Sequence, residues 1–177
     1  FNRKELLDRG IVIQDKIASG SVASVYSCQH FDTESVIKLF DPYAEKNIKV
    51  GILFLKCIDF FNIYKAFNLP KIHLNFKDYQ QLLISQLDTN IESKNCEKIK
   101  VMFQDYQHVI IPDIYVVQNK YIVMKKEKGK KYTNFIHQYP EKKNECIALL
   151  YGILLVMIRK KFLHADLHLG NFLFNLV

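Results

Sequence analysis

The sequence predicts an α+β fold made of two lobes, and three observations lead to that prediction. Short apolar stretches that alternate with polar residues fill 11–40, which is typical of an antiparallel strand meander. Longer stretches with apolar residues at helical spacing follow, both before and after a second pair of strand-like segments. Gly129 then separates the last strand-like segment from a run of helices. We therefore expect a first lobe at 1–128 and the beginning of a second, helical lobe at 129–177.

The first lobe is expected to contain a meander and a hairpin. Small residues at 18–21 form the turn between the first two strands of the meander. The hairpin turns across Gln118-Asn119-Lys120. The predicted strands are 11–17, 22–28, 35–40, 114–117 and 121–124.

Helices are expected between and after these strands. Pro42 is placed in the first turn of one helix, where proline is favourable. A long helix should extend from about residue 75 to residue 103, because apolar residues recur along it at helical spacing. A short helix at 132–138 and a strongly apolar core helix at 142–162 complete the pattern.

Composition and charge limit the classes of function. The 177-residue chain has 49% apolar and 24% charged residues, which is typical of a globular domain. Its net charge of +7 comes almost entirely from lysines, which favours a solvated surface over nucleic-acid binding. The apolar run 147–158 is too short to span a bilayer, so we expect no transmembrane segment in this chain. We also expect an intracellular protein, with its compartment otherwise unknown. A short lysine cluster fits an anionic phosphate ligand or peripheral association with a membrane: Lys125, Lys126, Lys128, Lys130 and Lys131.

The cysteines follow neither a metal-binding nor a disulfide pattern. None of Cys28, Cys57, Cys96 and Cys146 belongs to a Cys-x-x-Cys pair. We therefore expect no zinc site and no disulfide framework, and we interpret these residues as buried thiols in a reducing compartment.

The most informative pattern for chemistry is an aspartate and an asparagine five positions apart, Asp166 and Asn171. Protein kinases use this spacing in the catalytic loop, where the aspartate accepts the proton of the attacking hydroxyl and the asparagine binds a metal on the nucleotide phosphates. His164 and His168 also match a zinc spacing, but Ala165 stands where a metalloprotease helix has its glutamate. We therefore favour a catalytic-type loop over a zinc site.

A phosphate-binding turn is the second candidate motif. Ala18, Gly20, Ala23 and Val25 occupy the positions of Gly-x-Gly-x-x-Gly-x-Val, a kinase loop whose small residues let backbone N–H groups approach phosphate oxygens. Alanine replaces two of the three glycines here, so an ordinary hairpin turn is the alternative.

A strand lysine and a helical carboxylate form the third and fourth motifs. Lys38 lies between apolar residues, where an ammonium group is costly unless it meets anions such as nucleotide phosphates and a carboxylate. An edge-strand lysine with its head in water is the alternative. Asp88 and Glu92, four apart on the predicted long helix, are the candidate carboxylates, although a solvated helix surface also accounts for them.

Taken in this order, the four motifs predict kinase-like phosphate chemistry. The segment His164-Ala165-Asp166-Leu167-His168-Leu169-Gly170-Asn171 resembles the His-Ala-Asp-Pro-His-Pro-Gly-Asn motif of the UbiB/AarF atypical kinases, also called the activity-of-bc-one-complex (ABC1) or aarF-domain-containing kinases. The resemblance extends over roughly 11–174. Further matching segments are the alanine-rich loop at 17–26, the strand lysine at 36–38, the helix motifs at 86–88 and 92–95, and the hinge strand at 121–124.

The resemblance implies a protein-kinase-like bilobal fold, with an antiparallel sheet and helices in the N-lobe and a helical, incomplete C-lobe. It implies that Lys38 pairs with Glu92, that Asp166 is the catalytic-loop aspartate and that Asn171 is a magnesium ligand. Members of the family bind ATP with Mg2+, catalyse phosphoryl transfer or ATP hydrolysis, and support quinone or lipid pathways, often on membranes. The residues expected to contact the nucleotide are Ala18, Ser19, Gly20, Ser21, Val22, Ala23, Val25, Lys38 and Met124.

Several positions depart from the family pattern. Leu167 and Leu169 replace both loop prolines, Gln86 replaces an acid, and Gly20 stands where the family usually has alanine. The chain ends at Val177, before the Asp-Phe-Gly metal aspartate, so we expect a fragment of a longer protein. A pseudokinase or binding module without a full metal site is the alternative, and an aminoglycoside-type kinase is less favoured. The bias toward Lys, Asn, Ile and Tyr is typical of an AT-rich genome, as in a virus or protist.

Overall fold

The computed structural model describes residues 3–20, 22–66, 75–162 and 167–176. These residues form an α+β fold, as the sequence predicts. Two short 3-10 turns lie at Pro140–Lys142 and Leu169–Asn171. The helices and strands, in chain order, are α1 Arg3–Asp8, β1 Ile11–Ser19, β2 Ala23–His30, β3 Thr33–Phe40, α2 Ala44–Phe60, α3 Ile63–Ala66, α4 Phe76–Ser85, α5 Thr89–Met102, β4 Ile114–Gln118, β5 Tyr121–Lys125, β6 Lys130–Lys131, α6 Tyr132–Gln138, α7 Lys143–Arg159 and β7 Leu173–Phe174.

Five of the strands form one antiparallel sheet in the order β1-β2-β3-β5-β4. Lys38 on β3 is directly opposite Val25 on β2 and Ile122 on β5, so these three side chains share one face, called here the lysine face. Ile122 is fully buried on that face, and Ala23 and Phe40 are buried beside it. Because side chains alternate along a strand, the neighbouring residues of β3 contribute to a separate core on the opposite face. That second core contains Leu6, Ile11, Cys28, Ile37, Leu39, Tyr121 and Val123.

The expected single helix at 75–103 is wrong, because the chain is broken into α4 and α5. Asp88 Oδ1 accepts hydrogen bonds from the backbone N–H groups of Asn90 (2.8 Å) and Ile91 (3.3 Å). An aspartate that bonds these N–H groups caps the beginning of a helix. Asn75 caps α4 in the same way, by accepting from the N–H groups of Lys77 and Asp78. The apolar spacing in the sequence therefore continues through a break in the helical hydrogen bonding.

Two other expectations about helices need correction. Pro42 precedes α2, which begins at Ala44, so the proline lies outside the helix. The predicted core helix at 142–162 is α7, which is bounded by Lys143 and Arg159 and is less buried than expected. Cys146 and Met157 are its buried residues, and the side chains of Tyr151, Leu155 and Ile158 are more than half exposed.

The chain divides into two compact units: 1–97 with 112–126, and 98–111 with 127–177. The segment 98–111 groups with the second unit. The first unit contains the sheet and helices α1 to α4. The second contains α6, α7 and the small β6–β7 pair.

The β6–β7 pair fixes the end of the described chain within the second unit. Lys130 is paired with Phe174, and Lys131 with Leu173. Gly129, at the entrance to β6, has a φ of +154°, and a Cβ atom there would lie 2.8 Å from the Cβ atom of Leu173. Glycine is therefore required both by the backbone conformation and by the close approach of β7.

Among the described residues, no helix is both long enough and apolar enough to cross a bilayer.

Candidate active site

An ion pair on the lysine face joins β3 to α5. Lys38 Nζ lies 2.7 Å from Glu92 Oε1 and 2.8 Å from Oε2, so the ammonium group donates to both carboxylate oxygens. The two side chains are 27% and 31% exposed, which leaves one side of the pair open to solvent. Lys38 Nζ also lies 5.1 Å from the ring centroid of Phe40, within the range of a cation–π contact. The pair is thus held on the sheet side by packing and remains accessible to an anion.

The structure separates the two carboxylates that the sequence left as alternatives. Glu92 stands in the first turn of α5 and reaches Lys38. Asp88 instead caps the same helix, as described above. A capped first turn fixes the position from which Glu92 extends, so Asp88 contributes to the site through the backbone of α5.

The small-residue turn between β1 and β2 is a tight hairpin. Ala18 is paired with Val25 and Ser19 with Ser24, and the two serine Oγ atoms are 3.1 Å apart. The backbone N–H of Gly20 donates to the carbonyl oxygen of Ala23 at 2.8 Å, so this donor is already used within the hairpin. A Cβ atom at Gly20 would meet only that carbonyl oxygen, at 3.5 Å, which is an ordinary contact. The hairpin itself therefore does not require glycine at this position. Ser21, which the sequence also assigned to the nucleotide, lies outside the described residues.

The other residues assigned to the nucleotide lie on or beside the lysine face. Ala23 is buried in its core, and Val22 and Met124 are partly buried against that core. Val25 is directly opposite Lys38. These side chains form an apolar surface next to the ammonium group.

The loop that carries Asn171 is restrained by its own short-range hydrogen bonds. The backbone N–H of Gly170 donates to Nδ1 of His168 at 3.0 Å, and the N–H of Asn171 donates to the carbonyl oxygen of His168 at 2.9 Å. His168 has extended backbone angles and begins the 3-10 turn Leu169–Asn171. Asp166 and His164 lie outside the described residues, so the position of the predicted catalytic aspartate is not described.

An aromatic cluster holds the other side of this loop. The ring of Phe174 lies 5.7 Å from that of Tyr132 and 5.8 Å from that of Phe135, and Phe135 is 4% exposed. Phe172 and Phe174 are also neighbours, with ring centroids 6.5 Å apart. Sequence analysis missed this cluster. The alternation of Phe172 and Phe174 was the available signal for the cluster.

The donor chemistry of Asn171 suits magnesium. A carboxamide oxygen is the type of hard ligand that Mg2+ prefers, and Mg2+ is commonly held by only one or two side chains together with phosphate oxygens and water. Within the part of the chain that the structure describes, no group of three or more His, Cys, Asp and Glu residues could hold a metal ion by itself.

The cysteines are free thiols, and the structure corrects one expectation about them. Cys28 and Cys146 are buried, but Cys57 on α2 is exposed and Cys96 is intermediate. Burial raises the pKa of the Cys28 thiol to about 11 and also raises the pKa of Cys146. Both buried thiols therefore stay protonated near neutral pH.

Comparison with known proteins defines the class to which this fold and this site belong. Residues 13–176 match the ABC1 atypical kinase-like domain. Since the match covers nearly the whole chain, the protein belongs to this family, and the UbiB/ABC1 resemblance drawn from its motifs is confirmed.

Two known proteins are similar to this chain, one in sequence and one in fold. The probable serine/threonine-protein kinase abkC of Dictyostelium discoideum is 28% identical over 191 aligned positions, which cover 98% of this chain and 26% of that protein. The Rv3197 protein of Mycobacterium tuberculosis, solved in complex with erythromycin, has a similar fold, with a TM-score of 0.67 and 17% identity. That similarity covers 93% of this chain and 43% of the solved one, and it confirms the kinase-like α+β fold. The chain spans about a quarter of the length of abkC.

Proposed function

We propose that this kinase-like domain binds ATP with Mg2+ and catalyses phosphoryl transfer or ATP hydrolysis. The observation that carries the proposal is the ion pair between Lys38 and Glu92, in which a strand lysine is held by a helical carboxylate. In kinases this arrangement directs the ammonium group toward the nucleotide phosphates. The partial exposure of Lys38 leaves room for that second anionic partner.

The other candidate residues have separate roles in nucleotide binding and in catalysis. Val25 and Met124 provide apolar contacts for the purine ring beside Lys38. Asp166 accepts the proton of the attacking hydroxyl, and Asn171 is a ligand for magnesium on the phosphates. Magnesium, when bound, neutralises charge that develops on the transferring phosphoryl group.

The turn at Gly20 supports the same proposal. Neither the hairpin backbone nor a neighbouring side chain requires glycine there. A small residue at that position is explained if phosphate oxygens approach the backbone closely. Because the Gly20 N–H is already bonded to Ala23, other groups of the turn would donate to the phosphates.

The test is nucleotide binding by the full-length protein, measured as a shift in thermal unfolding midpoint with ATP and Mg2+. We expect a clear shift for the wild type and a much smaller one for Lys38→Ala. Lys49→Ala is the matched control, because Lys49 also forms an ion pair with a glutamate, Glu45 at 2.6 Å, but on the exposed surface of α2. No shift with ATP and Mg2+ in the wild type would contradict the proposal.

A second candidate function is a binding module without phosphoryl transfer, which contacts an anionic membrane or a partner in quinone or lipid pathways. The favouring observation is α2, where Val50, Leu53 and Phe54 are 57%, 61% and 66% exposed. Spacings of three and four place them on one side of the helix. Exposed Lys46 and Lys56 lie on the same helix. Apolar side chains next to lysines are typical of a helix that contacts anionic lipid.

Vesicle co-sedimentation tests this second function. We expect the full-length protein to bind vesicles that contain anionic phospholipid, and the double variant Leu53→Ser, Phe54→Ser to bind them much less. Leu155→Ser on α7 is the control, since Leu155 has a comparable exposure of 53%. Equal binding by both variants would exclude α2 as the contact surface.

A further inference from the structure

We propose that His168 is the positioning residue for Asn171, and that Gly170 is glycine because the imidazole ring occupies the space of its side chain. The inference rests on the proposed function, since it assigns Asn171 to the magnesium ion. It adds a role for the His-x-Gly part of the loop, which none of the chemical steps above uses.

The hydrogen bonds of the turn give His168 two contacts with the segment that leads to Asn171. Its Nδ1 atom accepts from the N–H of Gly170 at 3.0 Å, and its carbonyl oxygen accepts from the N–H of Asn171 at 2.9 Å. Nδ1 is an acceptor only when the ring proton is on Nε2, so the bond also selects the tautomer. The imidazole thus acts as a cap that closes the 3-10 turn from which the Asn171 side chain extends.

The surroundings of Gly170 show that the imidazole ring of His168 occupies the space that a side chain at position 170 would need. A Cβ atom at Gly170 would lie 2.7 Å from Cε1 and 2.9 Å from Nδ1 of His168, both closer than real Cβ contacts. The backbone gives no separate reason for glycine, because Gly170 is not among the described glycines with positive φ. The constraint on residue 170 therefore comes from the ring of residue 168.

The chain after Asn171 is fixed independently. Leu173 and Phe174 pair with β6, and Phe174 packs against Tyr132 and Phe135. With this end anchored, the His168 cap is a restraint on the turn on the other side of Asn171. Groups that orient a metal ligand typically change metal affinity by about 10- to 100-fold when they are removed.

The experiment measures Mn2+ affinity by electron paramagnetic resonance in the full-length protein with a non-hydrolysable ATP analogue. We expect His168→Leu, which has no acceptor, to weaken Mn2+ binding about 10- to 100-fold. We expect His168→Asn to stay within about threefold of wild type, since an asparagine side chain can accept from the N–H two residues on. Affinity for the analogue without divalent metal, and the unfolding midpoint without ligand, should change little in both variants.

A second set of variants tests the steric match by placing Gly170→Ala in two backgrounds, with and without the histidine ring. Gly170→Ala should weaken Mn2+ binding in the wild-type background. The same substitution should have little effect in a His168→Ser background, because serine lacks the two ring atoms that approach Cβ and its hydroxyl can still accept from the N–H. An equal effect of Gly170→Ala in both backgrounds would contradict the match.

The outcomes separate this inference from the proposed function. Wild-type protein that binds the analogue and Mn2+, with His168→Leu binding Mn2+ equally well, contradicts the positioning role alone. The same conclusion follows if His168→Asn loses as much affinity as His168→Leu. Wild-type protein that binds neither the analogue nor Mn2+ contradicts both.

Discussion

The two parts of the candidate site are built in opposite ways. Lys38 and Glu92 are 54 residues apart in sequence and meet only because β3, the Asp88 cap and α5 are all in place. The loop around Asn171 is held by hydrogen bonds between residues two and three positions apart. The first part therefore depends on the whole fold of its unit, whereas the second carries its own restraints. Substitutions should expose this difference. A change at Lys38 or Glu92 breaks a contact between distant parts of the chain, whereas a change in the loop around Asn171 breaks contacts between near neighbours in sequence.

The largest effect on activity is expected for Asp166→Asn. General-base catalysis typically contributes about 100- to 10,000-fold to a rate, so turnover should fall by that order. ATP binding should be largely kept, because the role proposed for the aspartate is on the acceptor hydroxyl. Steady-state turnover and a nucleotide titration check the two halves of the prediction. Loss of binding in a folded variant would count against the assignment.

Next in size is the effect of reversing the charge of Glu92. Glu92→Lys removes the acceptor of Lys38 Nζ and repels it, so Lys38 should be misplaced and nucleotide affinity should fall about tenfold, as expected for one lost charged hydrogen bond. Glu45→Lys is the matched control, since it reverses one side of the exposed Lys49 pair. Equal titration curves for the two variants would show that the long-range pair does not set the affinity.

Removing the aromatic anchor should have a moderate effect on stability. Phe174→Ala removes a partly buried ring that contacts Tyr132 and Phe135, and we expect a loss of about 1–3 kcal/mol in unfolding free energy. Leu173→Ala, at a position that is 52% exposed, should cost much less. Urea denaturation compares the two variants. A similar loss in both would mean that the cluster does not hold the loop.

A smaller effect is expected for Gly20→Ala. The hairpin accepts a Cβ atom at that position, so the unfolding midpoint should stay the same. Nucleotide affinity should decrease several-fold if phosphate oxygens approach the backbone there. Isothermal calorimetry together with thermal unfolding distinguishes the two quantities. A lower midpoint with unchanged affinity would favour the alternative of an ordinary hairpin turn.

Labelling of the cysteine thiols should have the smallest effect on function. Its rate can report on the unfolding of each of the two units, because each unit contains one buried cysteine. Cys57 is exposed and should react first with a maleimide. Cys28 on β2 and Cys146 on α7 should be protected by burial, and the pKa of Cys28, near 11, keeps the reactive thiolate scarce. Mass spectrometry during mild urea treatment shows which buried thiol is exposed first. Fast labelling of Cys28 without urea would contradict its place in the core.

Sequence reasoning predicted the elements of the sheet better than the ends of its helices. Strands and the Lys38 position follow from alternating apolar residues, and that pattern reports burial directly. The break at Asp88 was missed because a capping aspartate and a solvent-facing helical aspartate look alike in an apolar pattern. The two-residue strand β6 is too short to produce a pattern, whereas Phe172, Leu173 and Phe174 form an apolar, strand-like tail that contains β7. Gly129 was a further trace of the close approach of the two strands.

The same limits apply to the candidate site. The order of motifs placed Lys38 but left Asp88 and Glu92 as alternative partners for it, and only the family resemblance pointed to Glu92. It left the hydrogen-bond partner of His168 and the reason for Gly170 open, because a bond between a ring nitrogen and a nearby N–H has no counterpart in periodicity or charge. Those contacts depend on the φ and ψ angles of the turn, which the sequence pattern does not determine.

The separation of 54 residues between Lys38 and Glu92 also bears on how the chain folds. Closing a long loop costs entropy that rises with its length, and contacts between distant residues slow the search for the native state. The turn at His168 closes over two residues and should form in the earliest steps of refolding. We expect the ion pair to form last, so that nucleotide-binding competence would appear only after most of the backbone has reached its native conformation. Stopped-flow refolding followed by nucleotide fluorescence and by circular dichroism would measure that delay.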